Sequence, residues 1–414
     1  MQQSNGRSRI NRVLLGAALA SAFTLQFGPA LVGSASAQAQ EAIRAEVGKP
    51  LQAARDLYKQ GKYKEALVKL REAEAVPNRT ASENHLIEQM RAAIASQAGD
   101  TEQAIKASQA LIASGKLSEA ERAKHAASLA SLYYRNKDYA NAAKWANEAL
   151  KANPGDATMR SLMIQSYYQA GDLQAASHEA LADVQAAEKA GRAPPEDRLQ
   201  LLANVASKGA DRAAYVQALE RLVAYYPKRE YWADLLRRIE SKPGFSNRLT
   251  LDVYRLRLAT KTLDTANDYS EAAQLALQQG QAAEGKKILD EGFAAGVLGK
   301  GAEADRQKRL LTLASQRAAD APKDLATAEA EGAEDPNALV RVGMAYTGLG
   351  QYDKGIALMQ KGLGKPGLKN PEDARLHLGI AYLRAGNRTK AVETLKAVKG
   401  TDGAADLARL WTKV

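Results

Sequence analysis

The run Leu129-Ala130-Ser131-Leu132-Tyr133-Tyr134-Arg135-Asn136-Lys137-Asp138-Tyr139-Ala140-Asn141-Ala142 decides the fold. Apolar residues recur at helical spacing on both sides of Asn136-Lys137-Asp138, so two short helices meet at a turn. Ala149-Leu150 continue the second helix, and Pro154 ends it, because proline cannot supply the next helical N–H. The pattern returns 34 residues later as Met163-Ile164, Tyr167-Tyr168, Gly171-Asp172 and Ala176. Lys137 and Gly171 take the same turn position. Toward the C-terminus it returns as Val342-Gly343, Tyr346, Gly350-Gln351-Tyr352 and Gly355, then 36 residues later as Leu378-Gly379, Tyr382, Gly386-Asn387 and Ala391. Leu57-Tyr58, Gly61-Lys62-Tyr63, Ala66 and Ala73 form an N-terminal copy.

These residues resemble the tetratricopeptide repeat family, whose unit is a helix–turn–helix of about 34 residues. The resemblance implies an all-α fold, a right-handed α-solenoid of about ten to eleven such units, several of them degenerate, with about 20 helices. The physical chemistry points the same way. Ala130, Gly343 and Gly379 are small where one helix must approach another, as are Ala142, Ala176 and Ala391 on the second helix. Thr80-x-x-Glu83 and Ser118-x-x-Glu121 read as capping boxes at helix starts. Weaker copies are marked by Gly99-Asp100 with Ala104, by Ala203 through Pro227, and by Gly280 with Leu289. Residues 301–335 have room for one further unit. Spacing stretches between Gly61, Gly99 and Lys137. Ala187 to Glu196, Ser241 to Gly244 and Gly296 to Gly301 read as longer connections. The expected organisation is a leader at 1–37, a solenoid at 38–227, an irregular basic and aromatic joint at 228–264, and a second solenoid at 265–414.

The leader is read from Arg7, Arg9 and Arg12, an apolar run from Val13 to about Val32, and small residues ending at Ala35-Ser36-Ala37-Gln38. A basic start, an apolar core and an Ala-x-Ala end are the parts of a signal peptide, with cleavage expected between Ala37 and Gln38. Export to the periplasm follows. The run is also about long enough for an uncleaved anchor, so that alternative stays open. No later segment is a spanning candidate.

Composition narrows the function. The 414 residues are 45% hydrophobic and 25% charged, as in an ordinary folded protein. There is no cysteine, which excludes thiolate catalysis, disulfides and Cys-ligated zinc. The net charge is +11, and the leader holds three of the 58 basic residues and no acid, leaving +8 after cleavage. The positive charge is dispersed, without the dense runs of a nucleic-acid arm. Gly296 to Gly301 lacks the spacing of a phosphate loop. His85, His125, His178 and His377 fall in different repeats. No catalytic constellation, metal site or cofactor is expected.

The resemblance also implies where a partner would lie, since first helices of successive units line a groove in this family. Read onto this sequence, the groove positions are Arg55, Tyr58 and Lys59; Ser131, Tyr134 and Arg135; Gln165, Tyr168 and Gln169; and, near the C-terminus, Arg341, Met344, Ile380 and Arg384. Tyr58, Tyr134 and Tyr168 share one repeat position, where a tyrosine serves either a peptide surface or interhelical packing. A second candidate is a basic and aromatic surface around Tyr231, Trp232, Arg248, Arg255 and Arg257. Its alternative reading is an aromatic joint rimmed by arginines. Tyr226-Pro227-Lys228-Arg229-Glu230-Tyr231-Trp232 is similar to a segment of periplasmic tetratricopeptide proteins associated with TonB-type energy transduction. The expected function is a non-enzymatic periplasmic scaffold binding a protein or peptide segment of an envelope complex. The alternative is a binder of cell-wall or other anionic polymer through the middle region.

Overall fold

The computed structural model describes residues 43–414. The leader and its cleavage point at Ala37 and Gln38 lie outside the described residues. The described residues form 20 α-helices, no strand, and one 3-10 turn, Asn247–Leu249. None of these helices is long and apolar enough to cross a membrane. Two compact units divide between His178 and Glu179, inside one helix.

The first unit is built from helix pairs: α1 (Ala45–Lys59) with α2 (Tyr63–Glu74), α3 (Ala81–Ala98) with α4 (Thr101–Ala113), and α5 (Glu119–Arg135) with α6 (Tyr139–Ala152). α7 (Ala157–Ala170) follows, and the division falls within α8 (Leu173–Lys189). Several helix starts and turns have a local reason. Thr80 and Ser118 make the capping boxes with Glu83 and Glu121. Asp100, Asp138 and Asp156 accept backbone N–H groups at the starts of α4, α6 and α7. The turn residues Gly61, Gly99, Lys137 and Gly171 are all left-handed, with φ of 75°, 75°, 61° and 84°. Lys137 therefore sits where glycine fits at no steric cost. Alanines do the close packing: Ala66, Ala104, Ala130, Ala142 and Ala146 are fully buried.

The second unit continues with α9 (Glu196–Lys208) and α10 (Arg212–Tyr225), then α11 (Arg229–Glu240) and α12 (Thr250–Ala259), then α13 (Ala266–Gln278) and α14 (Ala282–Ala294). After α15 (Ala304–Glu331) come the pairs α16 (Pro336–Gly348) with α17 (Tyr352–Leu363) and α18 (Pro371–Arg384) with α19 (Arg388–Lys396). α20 (Ala404–Trp411) ends the chain. Glycines set the closeness of the later pairs. A Cβ on Gly343 would lie 2.7 Å from the Gly355 carbonyl oxygen, and one on Gly379 would lie 2.5 Å from Leu395 Cγ.

Two expectations need correction. Residues 301–335 do not hold a helix pair, but the single 28-residue α15. No glycine or Asn–Asp turn interrupts Ala304 to Glu331, and Pro322 lies inside the helix without ending it. Nor does 228–264 separate two solenoids, because it lies wholly inside the second unit. There Trp232, Leu235, Leu249, Val253 and Leu256 share one core with Leu376, Ile380, Leu407, Leu410 and Trp411. The end of the chain thus folds back onto the middle of its own unit.

Candidate protein-binding groove

In the first unit the expected groove residues occupy equivalent places. Tyr58, Tyr134 and Tyr168 each sit three residues before a left-handed turn residue, on the last turn of α1, α5 and α7. First helices of adjacent pairs touch, α1 with α3 and α5 with α7. Lys59, Arg135 and Gln169 are exposed, while Arg55, Ser131, Gln165 and the three tyrosines are half-buried. The tyrosines also pack across the turn. The Tyr58 and Tyr63 rings lie 5.5 Å apart, and the Tyr134 and Tyr139 rings meet edge to face at 5.4 Å. One ring thus serves both expected roles, with one flank in the helix pair and the rest on the helix surface. Burial pushes the Tyr58 and Tyr134 hydroxyls up, so both stay neutral donors. On α3 the same place holds Ser96, three residues before Gly99, which interrupts the tyrosine series. The equivalence was visible in the 38-residue spacing from Tyr58.

The second unit differs. Three of its four groove positions on α16 and α18, Met344, Ile380 and Arg384, face the unit's own helices, and Arg341 does not. Arg384 Nη2 donates to Glu284 Oε1 of α14 at 2.7 Å. His377, two turns earlier on α18, lies 2.9 Å from Asp252 Oδ1 of α12 through Nε2. Gln281, which caps α14, donates to the Arg341 carbonyl at 3.3 Å, while the Arg341 side chain is exposed. Met344 and Ile380 are core residues, at 4% and 1% exposure, and not groove lining. The reason is that α12 is enclosed on every side. Val253 and Leu256 enter the core with α11 and α20, whereas Leu251 and Tyr254 enter a second core with α13 to α15. A helix buried all round has no solvent face for its charges, so Asp252 and Arg255 must pair.

They do so in one network. Arg255 donates to Asp252 through Nη1 at 2.7 Å and to Glu284 through Nη2 and Nε at 2.6 and 3.0 Å. Two cations, Arg255 and Arg384, thus face two carboxylates, and His377 Nε2 lies against Asp252. Burial alone would raise the Asp252 carboxyl, but His377 and Arg255 outweigh it and hold it at about 2. Burial likewise opposes ionisation of Glu284, and Arg255 and Arg384 drive its carboxyl well below the usual range. The sequence reading missed Glu284, Asp252 and His377 as a group. The signal was Asp252-x-x-Arg255 inside the apolar run Leu251 to Leu258.

The expected basic and aromatic surface is broken up, with Arg248 exposed and Tyr231, Trp232 and Arg255 buried. Tyr231 and Trp232 are 3% exposed and Arg255 2% exposed. All eight basic residues from Lys228 to Arg257 already face carboxylates: Lys228 meets Glu196, Arg229 Asp264, Arg237 and Arg238 Asp234, Lys242 Asp406, Arg248 Asp373 and Asp402, Arg255 Glu284, and Arg257 Glu240. Tyr231 and Trp232 lie in the core, Arg237 and Arg238 pair within α11, and Arg248, Arg255 and Arg257 reach carboxylates of other segments, which agrees with the alternative reading of this stretch. Among the described residues no group of three metal-ligating side chains comes together.

Two family models, each described as a tetratricopeptide repeat, match residues 127–156 and 373–401. No curated protein matches the chain. Among solved structures it is similar to a tetratricopeptide repeat protein from Parabacteroides merdae, at 16% identity over 65% of this chain and 99% of that one, with a TM-score of 0.31. Yeast Tom70 is similar at 11% identity over 88% of this chain and 94% of that one, with a TM-score of 0.26. The TPR2AB domain of yeast Sti1, solved as a pHSP90 complex, is similar at 15% identity over 70% of this chain and 98% of that one, with a TM-score of 0.25. The two family matches fall one in each unit, on the pairs α5–α6 and α18–α19 that carry the fullest turn pattern, so the chain carries tetratricopeptide repeats at both places.

Proposed function

We propose that the chain is a non-enzymatic periplasmic scaffold that binds a protein segment of an envelope complex in the groove of its first unit. Tetratricopeptide repeats support a protein-interaction role in general. The observation that carries the finer reading is the contrast between the units. Lys59, Arg135 and Gln169 are exposed beside half-buried tyrosines at equivalent places on α1, α5 and α7. The corresponding Arg384 of the second unit is already engaged with Glu284. Export is supported by Arg7, Arg9 and Arg12, the apolar run and the Ala35-Ser36-Ala37 end. Polymer binding through the middle loses its chemistry, since the cations it needs are paired within the fold.

The test is affinity capture from an envelope extract with the tagged chain, repeated with Lys59→Glu/Arg135→Glu. Both side chains are exposed, so the variant should fold. The reading expects a defined envelope protein that is lost with the double variant and kept when Lys106, an exposed lysine on α4, is reversed instead. Equal capture by all three proteins would overturn it.

A further inference from the structure

We infer that the second unit is a groove held shut from within: α12 occupies it as an internal ligand, and α20 is the latch whose release opens it. The inference stands apart from the partner of the first unit. α18 presents Leu376, His377, Ile380 and Arg384 along one face, at the spacing of successive helical turns. His377 meets Asp252 of α12, Arg384 meets Glu284 of α14, and Leu376 and Ile380 share a core with Val253 and Leu256 of α12. The face that would take a ligand is therefore covered by the chain itself.

α12 and α20 share one core, in which Ala404, Leu407, Ala408 and Leu410 of α20 are fully buried, but their polar ties differ. α12 is fixed by enclosed apolar side chains and buried ion pairs. α20 has eight residues, too few to persist alone, and follows Gly400 and Gly403, with φ of 130° and 108°. Its polar ties are at the rim. Lys242 reaches Asp406 at 2.7 Å, and Arg409 reaches Glu220 of α10 at 2.8 Å. Both cations are 45% exposed, so salt screens these pairs readily. The Ser246 N–H donates to the Asp402 carbonyl at 2.9 Å, and Arg248 bridges Asp373 and Asp402. The Trp411 indole Nε1 is buried without a hydrogen-bond partner, which weakens the seat further. A short element with exposed polar ties and an unmade hydrogen bond is the part of the unit that opens first.

The test is hydrogen exchange on the full chain with Lys242→Glu/Arg409→Glu, read peptide by peptide. The latch predicts that α20 and α12 lose protection together by at least about tenfold, while α1 to α7 and the pair α9–α10 keep theirs. Unchanged protection of α12 beside a freed α20 would overturn it. So would simultaneous loss across α9 to α19, which is ordinary unfolding. The wild-type chain supplies a second reading that needs no variant. Raising salt from about 0.05 M to about 0.5 M should speed exchange in α20 and α12 alone, and no change in either would overturn the latch.

Discussion

Arg255 on α12 donates to both carboxylate oxygens of Glu284 on α14, at 3.1 and 3.0 Å through Nε and at 2.6 Å through Nη2. The two residues are 2% and 6% exposed. This pair, extended by Asp252, His377 and Arg384, joins α12 to α14 and α18, whose Glu284 and His377 lie 29 and 122 residues from Arg255 in sequence. It ties Arg384, an expected groove position of the second unit, into that unit's own interior.

Removing Arg255 should be far more costly than removing the whole pair. Arg255→Met leaves Asp252 and Glu284 buried with fewer partners, at about 3–5 kcal/mol. In Arg255→Met/Glu284→Met one of the two stranded carboxylates is gone, so the loss should be smaller than the sum of the single losses. Urea unfolding followed by tryptophan fluorescence reads both, since Trp232 and Trp411 lie in the second unit. Additive losses would show that the pair does not act as one.

The acid limit follows from the same carboxylates. Their values in the fold lie below the ordinary 3.8 and 4.5, so the folded state binds their protons less readily than the unfolded chain. Their contribution is complete above those ordinary values and is lost as pH falls toward about 2. Stability of the second unit should therefore decline steeply below about pH 4, with a gentler slope in Asp252→Asn. Identical slopes in the two proteins would contradict the assignment.

The glycines make opposite predictions at two kinds of place. Gly343→Ala gains helix propensity of about 1 kcal/mol but drives a methyl into the Gly355 carbonyl, so a net loss of about 1–3 kcal/mol is expected. Lys137→Gly should stabilise the first unit by roughly 1 kcal/mol, because it relieves a left-handed residue in an exposed turn. Denaturant midpoints of the two variants should move in opposite directions.

Tyr134 should separate packing from recognition. Tyr134→Phe keeps the edge-to-face contact with Tyr139 and should leave stability within about 0.5 kcal/mol. Tyr134→Ala loses that contact and part of its burial, a cost of about 2 kcal/mol. Thermal unfolding of both variants checks this.

The repeat was legible because it is made by local rules. Gly61, Gly99 and Gly171 announce the turns, Thr80 and Ser118 the helix starts, and Pro154 and Pro227 lie just beyond helix ends. Two features were not legible. Residues 304–331 contain helix formers and one proline, and nothing in their local chemistry says whether one helix or two will form. The partners of Arg248, Arg255 and Arg384 lie 29 to 154 residues away, so a charged stretch that reads as a surface becomes the seam of a folded-back unit. Composition gives the number of cations but not which carboxylates the fold brings to them.

The first unit is proposed to present an open groove, whereas that of the second is filled by its own chain. Photo-crosslinking residues at Arg135 and at Arg384, placed one at a time in the full-length protein in cells, test it most directly. The account predicts that Arg135 captures a defined envelope protein, while Arg384 yields only an internal crosslink to the segment around Glu284. Capture of that partner from Arg384, with none from Arg135, would contradict it.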